Sequence, residues 1–270
     1  MSDHVAGKAI IVTGAAKGFG RLVCEMATAR GARVLALDVD AAGLADLAAA
    51  GAAAATRIAD VTDLSSLKAA AAEAVQRFGA IDVMVNNAGV MPLAFYADHA
   101  AATEAWSRCI DINIKGVLNG IVAVHDQMIA QGRGHVINLS SIYGNFPVAG
   151  AGVYGATKAA VNFLSDALRA ESQGRIKVTT IRPTGVPGTN LGSGIVNPGA
   201  IVGILGQNAP GYLGALQGEG NAEGKDPESI RYLALEPRYI AEAILHAIDQ
   251  PWGVTLSDIT VRAAGDQYIL

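Results

Sequence analysis

The chain has 270 residues and a mass of 27.6 kDa, a length typical of a single α/β domain. Hydrophobic residues make up 51% of it and charged residues only 16%, a composition too apolar for an intrinsically disordered protein. The 20 Lys and Arg residues are outnumbered by 24 Asp and Glu, so no basic excess is available for a nucleic-acid partner.

Short β-rich runs alternate along the chain with alanine-rich segments of helical periodicity. Strands are predicted at 9–13, 33–37, 81–85, 135–139, 177–181 and 259–261, and a further short strand precedes Asp60. Helices are predicted near 19–30, 40–50, 63–78, 102–131, 153–173 and 237–249. This alternation indicates parallel strands joined by crossover helices on both faces. We therefore predict one doubly wound α/β domain over residues 1–270.

Residues 184–232 interrupt the alternation with a segment rich in glycine and proline that carries no charge before Glu219. We interpret it as a lid of one or two short helices over a site, with an apolar cluster at 201–205; a contact between subunits is the alternative. The uncharged run from 183 to 218 contains ten glycines and four prolines, which excludes a regular membrane-spanning helix. No membrane partner is therefore expected.

The cysteines and histidines show no pattern of a disulfide framework or a metal site. Cys24 and Cys109 fall in separate predicted helices, and the five histidines have no metal-ligand spacing. The N-terminus lacks a basic stretch followed by an apolar core, as a secretory signal would have. These features predict a cytoplasmic protein without a bound metal.

A glycine-rich turn follows the first strand and opens the first helix. Gly14, Gly18 and Gly20 have the spacing G-x-x-x-G-x-G, which allows a phosphate to approach free backbone amides at a helix N-terminus. An ordinary strand–helix turn can look the same, but the second strand ends in Asp38, where a carboxylate binds the ribose hydroxyls of an adenosine. Together they predict a dinucleotide site.

Two charged residues of this site favour opposite cofactors. Asp38 would repel a 2′-phosphate and favours NAD, whereas Lys17, beside the glycine-rich turn, would attract the phosphate of NADP. Giving more weight to Asp38, we predict NAD over NADP.

Two further strand ends carry residues suited to a dinucleotide. Asp60 and Val61 follow the third strand, where a carboxylate can accept from the adenine amino group. The sequence Asn86-Asn87-Ala88-Gly89 ends the fourth strand, where small residues let a cofactor lie against the backbone. Either could be a simple turn. Their joint occurrence at carboxyl ends of successive strands is informative, because doubly wound sheets bind ligands at that edge.

A reactive constellation lies in the second half of the chain. Tyr154 and Lys158 are four residues apart in a predicted helix and share a face. A neighbouring ammonium stabilises phenolate and lowers the tyrosine pKa from about 10, which suits an acid/base role. Ser141, just past the fifth strand, can donate to a substrate carbonyl. Asn113, in mid-helix, indicates a bound-water or backbone role, or simply a kink.

In order and spacing these motifs resemble the short-chain dehydrogenase/reductase family from about residue 5 to 262. The resemblance implies a Rossmann-like fold and hydride transfer between nicotinamide C4 and a carbinol carbon. It also implies that Tyr154 exchanges the proton, Ser141 orients the substrate oxygen, Lys158 holds the ribose, and Asn113 anchors a water of the proton relay. A homotetramer, or a homodimer, built from helices 111–131 and 153–173 is expected from it. The residues that carry the resemblance are Thr13, Gly14, Gly18, Gly20, Asn86, Asn87, Ala88, Gly89, Asn113, Ser140, Ser141, Tyr154, Lys158 and Pro183.

The chain departs from the family after the sixth strand. The family has Pro-Gly-x-Val-x-Thr there, whereas this chain has Thr184 in place of the first glycine and Thr189 one position late. Residues 257–262 also resemble a subgroup acting on hydroxy acids and small alcohols, often with NADP. The complete predicted cofactor set is Gly14, Lys17, Gly18, Phe19, Gly20, Asp38, Asp60, Val61, Asn87, Ala88, Gly89, Tyr154, Lys158, Pro183, Val186 and Thr189.

The residues expected to face a small-molecule substrate are apolar or aromatic. They are Met91, Tyr143, Phe146, Val148 and the cluster 201–205, and no Arg or Lys lies close to them in sequence. A neutral, hydrophobic secondary alcohol or ketone is predicted. One alternative is an NADPH-dependent 3-ketoacyl or 3-hydroxy-acid type reductase. Another is a non-catalytic nucleotide sensor, which would be expected to lack Ser141, Tyr154 or Lys158. A hydrolase using Ser141 is disfavoured, because Gly-x-Ser-x-Gly is absent.

Overall fold

The computed structural model describes residues 3–201, 210, 214, 222–233 and 235–266. In this part of the chain seven parallel strands form one sheet of order β3-β2-β1-β4-β5-β6-β7. The strands are β1 Ala9–Thr13, β2 Arg33–Asp38, β3 Ala55–Ile58, β4 Val83–Asn86, β5 Gly134–Leu139, β6 Ile176–Pro183 and β7 Asp258–Val261. The prediction of a doubly wound, Rossmann-like sheet in a single α/β domain is confirmed.

The crossover helices cover both faces of the sheet. They are α1 Gly18–Ala29, α2 Ala41–Ala49, α3 Leu64–Phe78, α4 His99–Ile110, α5 Gly116–Ala130, α6 Gly152–Glu171 and α7 Pro237–Ile248. One core packs α1, α2 and α7 against residues such as Val12 and Val34. The other packs α3, α5 and α6 against their chain neighbours Ile11 and Leu35. Because successive side chains of a strand point to opposite faces, this alternation is what strands buried on both sides require.

The predicted helical stretch 102–131 is present and contains a π-helical stretch that the sequence did not predict. The structure has α4, then a π-helical stretch at Asp111–Lys115, then α5. A π-helical turn contains an additional residue and redirects the helix, and such turns are frequent at functional sites. Asn113 lies in this stretch and is completely buried. The unusual position of an asparagine in mid-helix therefore coincides with a π-helical stretch.

The strand order reverses beside β1, where β2 and β4 are its two neighbours. Doubly wound sheets form a crevice at this switch point, at the carboxyl ends of the strands. Here Thr13 ties the two central strands together: its Oγ1 accepts from the backbone N of Asn87 at 3.0 Å and of Ala88 at 3.1 Å. The glycine-rich turn and the Asn-Ala-Gly turn are therefore held side by side.

The lid predicted over 184–232 remains a prediction. Residues 184–201 run along the carboxyl edge of the sheet and include a 3₁₀ turn at Asn190–Gly194. Residues 202–205 of the apolar cluster lie outside the described residues. No helix among the residues that the structure describes is long and apolar enough to cross a membrane.

Candidate active site

A cavity of about 1120 Å³ opens at the switch point and gathers most of the predicted site. Of the predicted residues, those that line it are Gly14, Lys17, Gly18, Phe19, Asp38, Asp60, Val61, Asn87, Ala88, Gly89, Met91, Ser141, Tyr143, Tyr154, Lys158, Pro183, Val186, Thr189 and Ile201 of the cluster 201–205. Gly20, Asn113, Phe146 and Val148 do not line it. Its volume slightly exceeds the usual range for small-molecule pockets, about 300–1,000 Å³.

The glycine-rich turn has the geometry of an anion site. Gly14 and Gly18 have φ angles of +65° and +55°, which L side chains rarely adopt. A Cβ on Gly20 would lie 2.2 Å from the carbonyl oxygen of Gly14, so Gly20 serves close packing of the turn rather than direct contact with the cavity. No side chain caps the start of α1. The first amides of the helix are therefore left for a ligand.

The carboxylate of Asp38 is held at the cavity edge by two backbone amides. Its Oδ2 accepts from the N–H of Ala16 and its Oδ1 from that of Asp40, both at 2.9 Å. Lys17, on the other side of this end of the cavity, is paired with Asp40 at 2.7 Å. The predicted opposition between Lys17 and Asp38 therefore involves a third charge, Asp40, which the sequence analysis missed.

Three predicted catalytic residues meet on the cavity wall. Ser141 follows β5, Tyr154 lies in the first turn of α6, and Lys158 is one turn further along that helix. All three are buried, with 4–6% of each residue exposed. The Tyr154 hydroxyl is hydrogen-bonded to the Ser141 side chain, and the Lys158 Nζ donates to the backbone oxygen of Leu139 at 2.8 Å. The α6 spacing has thus brought phenol and ammonium to the same wall.

Burial dominates the electrostatics of this group. It raises the pKa of Tyr154 above the ordinary value of a phenol, and the hydrogen bond from Ser141 only partly opposes it. Burial also lowers the pKa of Lys158 to about 8. The expected lowering of the tyrosine pKa by Lys158 is therefore not met in the protein alone, since Nζ lies 5.7 Å from the ring centre and both groups are desolvated. Tyr154 is a protonated phenol at neutral pH.

Asn113 takes a backbone role. Its Oδ1 accepts from the N–H of Val90 at 3.0 Å, and its Nδ2 donates to the Val90 carbonyl at 2.9 Å and to Thr157 Oγ1 at 3.1 Å. Thr157 in turn donates to the carbonyl of Tyr154 at 2.7 Å. Asn113 therefore joins the turn after β4 to the catalytic turn of α6. Thr157 was missed by the sequence analysis, although its place beside Lys158 was visible.

The predicted substrate wall is present only in part. Met91, Tyr143 and Ile201 line the cavity, together with Val90, Leu93 and Ile195. The Tyr143 ring packs edge-on against Tyr154, with centres 6.0 Å apart.

Phe146 and Val148 are placed elsewhere. The turn between the 3₁₀ helix Ile142–Gly144 and α6 carries them away from the cavity, so that Phe146 is 53% exposed and Val148 lines a separate cavity of about 180 Å³. In contrast, Arg108 of α4 lines the main cavity and is exposed. A cation distant in sequence from the predicted substrate residues therefore lines the same cavity.

The sequence matches the family model described as short chain dehydrogenase over residues 8–197. The chain belongs to the short-chain dehydrogenase/reductase family. It is 33% identical to an uncharacterized oxidoreductase of Listeria monocytogenes over 261 residues, 95% of this chain and 96% of the other. It is 35% identical to a 2,5-dichloro-2,5-cyclohexadiene-1,4-diol dehydrogenase of Sphingobium indicum over 191 residues, 69% and 76% of the two chains.

The same membership appears in the structure. A serine dehydrogenase complexed with NADP+ superposes with a TM-score of 0.79 at 29% identity, covering 96% of each chain. As a short-chain dehydrogenase the protein is an oxidoreductase for a small-molecule substrate, on a fold that binds NAD or NADP. The free amides at α1 and the large cavity beside Lys158 fit such a dinucleotide.

Proposed function

We propose that this short-chain dehydrogenase interconverts a neutral, hydrophobic secondary alcohol and its ketone, with NAD as the cofactor. The observation that carries the proposal is the buried group of Ser141, Tyr154 and Lys158 on the wall of the cavity. A sensor without turnover has no need of all three residues in one place.

The predicted residues would hold the dinucleotide along the carboxyl edge of the sheet. The amides at the start of α1 receive its phosphates, Asp38 binds the adenosine ribose, and Lys158 binds the second ribose. Asp60 and Val61 receive the adenine, and Val186 and Thr189 the carboxamide end. When bound, the cofactor supplies hydride for reduction or takes it up in oxidation.

The protein's own groups handle the proton. The Ser141 hydroxyl donates to the substrate oxygen and fixes it beside the phenol. In the reducing direction Tyr154 gives its proton to that oxygen, and in the oxidising direction it takes the proton back. The Lys158 ammonium stabilises the phenolate as it forms. Asn113 contributes by holding the turn at Val90 against α6, and its anchoring of a relay water remains a prediction.

The described wall favours a neutral substrate. Val90, Met91, Leu93, Tyr143 and Ile195 offer apolar surface. The buried cation on the cavity wall, Lys158, is used by the proposed contact with the cofactor ribose and is therefore not available to clamp a substrate carboxylate. Arg108, which also lines the cavity, is exposed, and a charge in water contributes little to affinity.

A second candidate is an NADP-dependent enzyme that oxidises hydroxy acids or reduces the corresponding keto compounds, such as a 3-ketoacyl or 3-hydroxy-acid type reductase. Arg108 at the rim and Lys17 beside the glycine-rich turn favour it. The similarity to a serine dehydrogenase solved with NADP+ supports it as well.

Cofactor-linked turnover distinguishes these candidates. The purified chain should oxidise members of a panel of neutral secondary alcohols with NAD, and prefer them to their carboxylated analogues. Tyr154→Phe should lower turnover by about 10²–10⁴-fold, the usual contribution of a general acid/base. Tyr96→Phe, which removes the same hydroxyl from a 74% exposed residue, is the matched control. Preference for the charged analogue with NADP would select the second candidate, and undiminished turnover by Tyr154→Phe would refute the role of Tyr154.

We also propose a cytoplasmic homotetramer, or a homodimer. Cys24 and Cys109 are free, buried thiols, which suits a reducing compartment. The assembly rests on the family resemblance and on the exposed apolar residues of α5 and α6 discussed below.

A further inference from the structure

Three charged side chains meet at the end of the cavity where β2 stops. Lys17 and Asp38 line the cavity, and Lys17 Nζ lies 2.7 Å from Asp40 Oδ2. Both carboxylate oxygens of Asp38 accept hydrogen bonds from backbone amides. The ammonium that would receive a 2′-phosphate is therefore already paired with a carboxylate of the protein.

Asp40 is held in this position by the fold. It is the N-cap of α2, where its Oδ1 accepts from the N–H of Gly43 at 3.0 Å. The helix start packs directly on the glycine-rich turn, since a Cβ on Gly43 would lie 2.7 Å from the Cβ of Ala16. The carboxylate therefore reaches Lys17 from a rigid helix end, not from a mobile loop. The pairing raises the pKa of Lys17 and lowers that of Asp40, as expected when each charge stabilises the other.

We propose that Asp40 is a specificity-determining residue that disfavours nucleotides with a 2′-phosphate by occupying Lys17. The proposal rests on the nucleotide site of the proposed function. A 2′-phosphate entering here has to displace Asp40 from Lys17 and lie beside the carboxylates of Asp38 and Asp40. Without the Asp40 charge, Lys17 is available and only one carboxylate opposes the phosphate.

Calorimetric titration with two nucleotides that lack nicotinamide tests this without any turnover. The probes are 5′-AMP and 2′,5′-ADP (adenosine 2′,5′-bisphosphate), which differ only in the 2′-phosphate. Asp40→Asn removes the charge and keeps an N-cap residue of equal quality, so α2 is preserved. It should tighten the binding of 2′,5′-ADP by about three- to ten-fold and alter that of 5′-AMP by less than about two-fold. The modest size follows from the weakness of exposed ion pairs.

Two further variants separate this effect from a general change of charge. Asp46→Asn removes an equal charge from an exposed position of α2 and should leave both affinities unchanged. In a Lys17→Gln background, Asp40→Asn should no longer improve 2′,5′-ADP binding, because the cation that it releases is gone.

The assignment is overturned if Asp46→Asn matches Asp40→Asn, if the gain survives in Lys17→Gln, or if Asp40→Asn has no effect. The last result, with normal 5′-AMP binding by the wild type, refutes Asp40 alone and leaves the proposed function standing. A wild type that binds neither nucleotide refutes the nucleotide site and the assignment together.

Discussion

Tyr154 and Lys158 are both buried, although the proposed reaction requires Lys158 to carry a positive charge. A buried ammonium with a pKa of about 8 loses its proton close to physiological pH. Its Nζ donates to the Leu139 carbonyl, and a Cβ on Gly89 would lie 3.6 Å from it, so Lys158 faces the turn expected to carry the cofactor. The affinity for a dinucleotide that binds the ammonium form should therefore depend on pH.

We predict that NAD binds more weakly as the pH rises through about 8. The ammonium form of Lys158 binds the cofactor more strongly than the neutral amine does. Above a pH of about 8 the neutral amine predominates in the free protein, so the affinity for the cofactor falls. The dissociation constant should increase by up to about tenfold between pH 7 and pH 9. Fluorescence titration of NAD across this range measures the effect.

Lys158→Met is the control for this prediction. The variant should bind NAD weakly and with no pH dependence between pH 7 and pH 9. A wild-type curve as flat as that of the variant would show that the protonation of Lys158 does not control cofactor binding.

Local spacing explains which site residues could be predicted from the sequence. Gly14, Tyr154 and Lys158 act through short-range geometry, namely a turn or one helical repeat, and such geometry is visible in the chain itself. Asp40 and Arg108 could not be placed in this way. Asp40 reaches Lys17 only because α2 packs on the glycine-rich turn, and Arg108 reaches the cavity only because α4 lies along its rim.

At the scale of elements, the amino end of the sheet carries an unusual concentration of cations. Lys8, Arg133 and Lys177 surround the ring of Trp252 at 4.4–5.8 Å. Lys8 and Lys177 are each 8% exposed, and they donate to the carbonyls of Ile248 and Pro251. Burial lowers the pKa of Lys177 to about 8, with repulsion from Lys8 as a second cause.

We predict that Lys177 makes stability rise with pH between about 8 and 10. Its folded pKa is below that of an unfolded lysine, about 10.4, so the unfolded chain binds more protons in this window. The free energy of unfolding of the wild type should therefore gain about 1–2 kcal/mol relative to Lys177→Met from pH 7 to pH 10, after allowance for solvent screening. Urea unfolding at the two pH values measures the difference.

Only the difference between wild type and variant isolates Lys177. Burial raises the pKa of Tyr154, Cys24 and Cys109, which makes stability fall at alkaline pH, but these groups are common to both proteins. An unchanged difference between pH 7 and pH 10 would mean that Lys177 is solvated in the folded protein.

Hydrophobic periodicity predicts the helical stretch over 102–131 but not the π-helical residues within it. The apolar positions of α4 and α5 each follow a helical repeat, but the π-helical stretch between them shifts their phase. The cause is tertiary: Asn113 satisfies both the N–H and the C=O of Val90, a partner 23 residues away. No local pattern marks such a bond, although Asn in mid-helix is a warning of it.

At the scale of the whole molecule, α5 and α6 leave large apolar side chains exposed. Phe163 of α6 is 77% exposed, and Leu118 and Val122 of α5 are 43% and 41% exposed. Concentrated apolar exposure of this kind is typical of protein–protein contacts. These are the two helices through which the family resemblance implies that the chain assembles.

We predict that Phe163→Asp shifts the assembly towards smaller species. A carboxylate buried in an apolar interface would be strongly unfavourable. Sedimentation at micromolar concentration should show a tetramer, or a dimer, for the wild type and a smaller species for the variant. Ile230→Asp, at an equally exposed position (80%) outside these helices, is the control. A monomeric wild type would refute the assembly.

The central claim is hydride transfer between the substrate and nicotinamide. It rests on the sheet order, on the cavity at the switch point and on the buried Ser141, Tyr154 and Lys158. The most direct test uses a secondary alcohol from the active panel, deuterated at the carbinol carbon, with mass spectrometry of the reduced cofactor. We predict that the deuterium appears on the nicotinamide ring with wild-type protein, and at least about a hundredfold more slowly with Tyr154→Phe. Ketone formation with an unlabelled cofactor would contradict hydride transfer between substrate and nicotinamide.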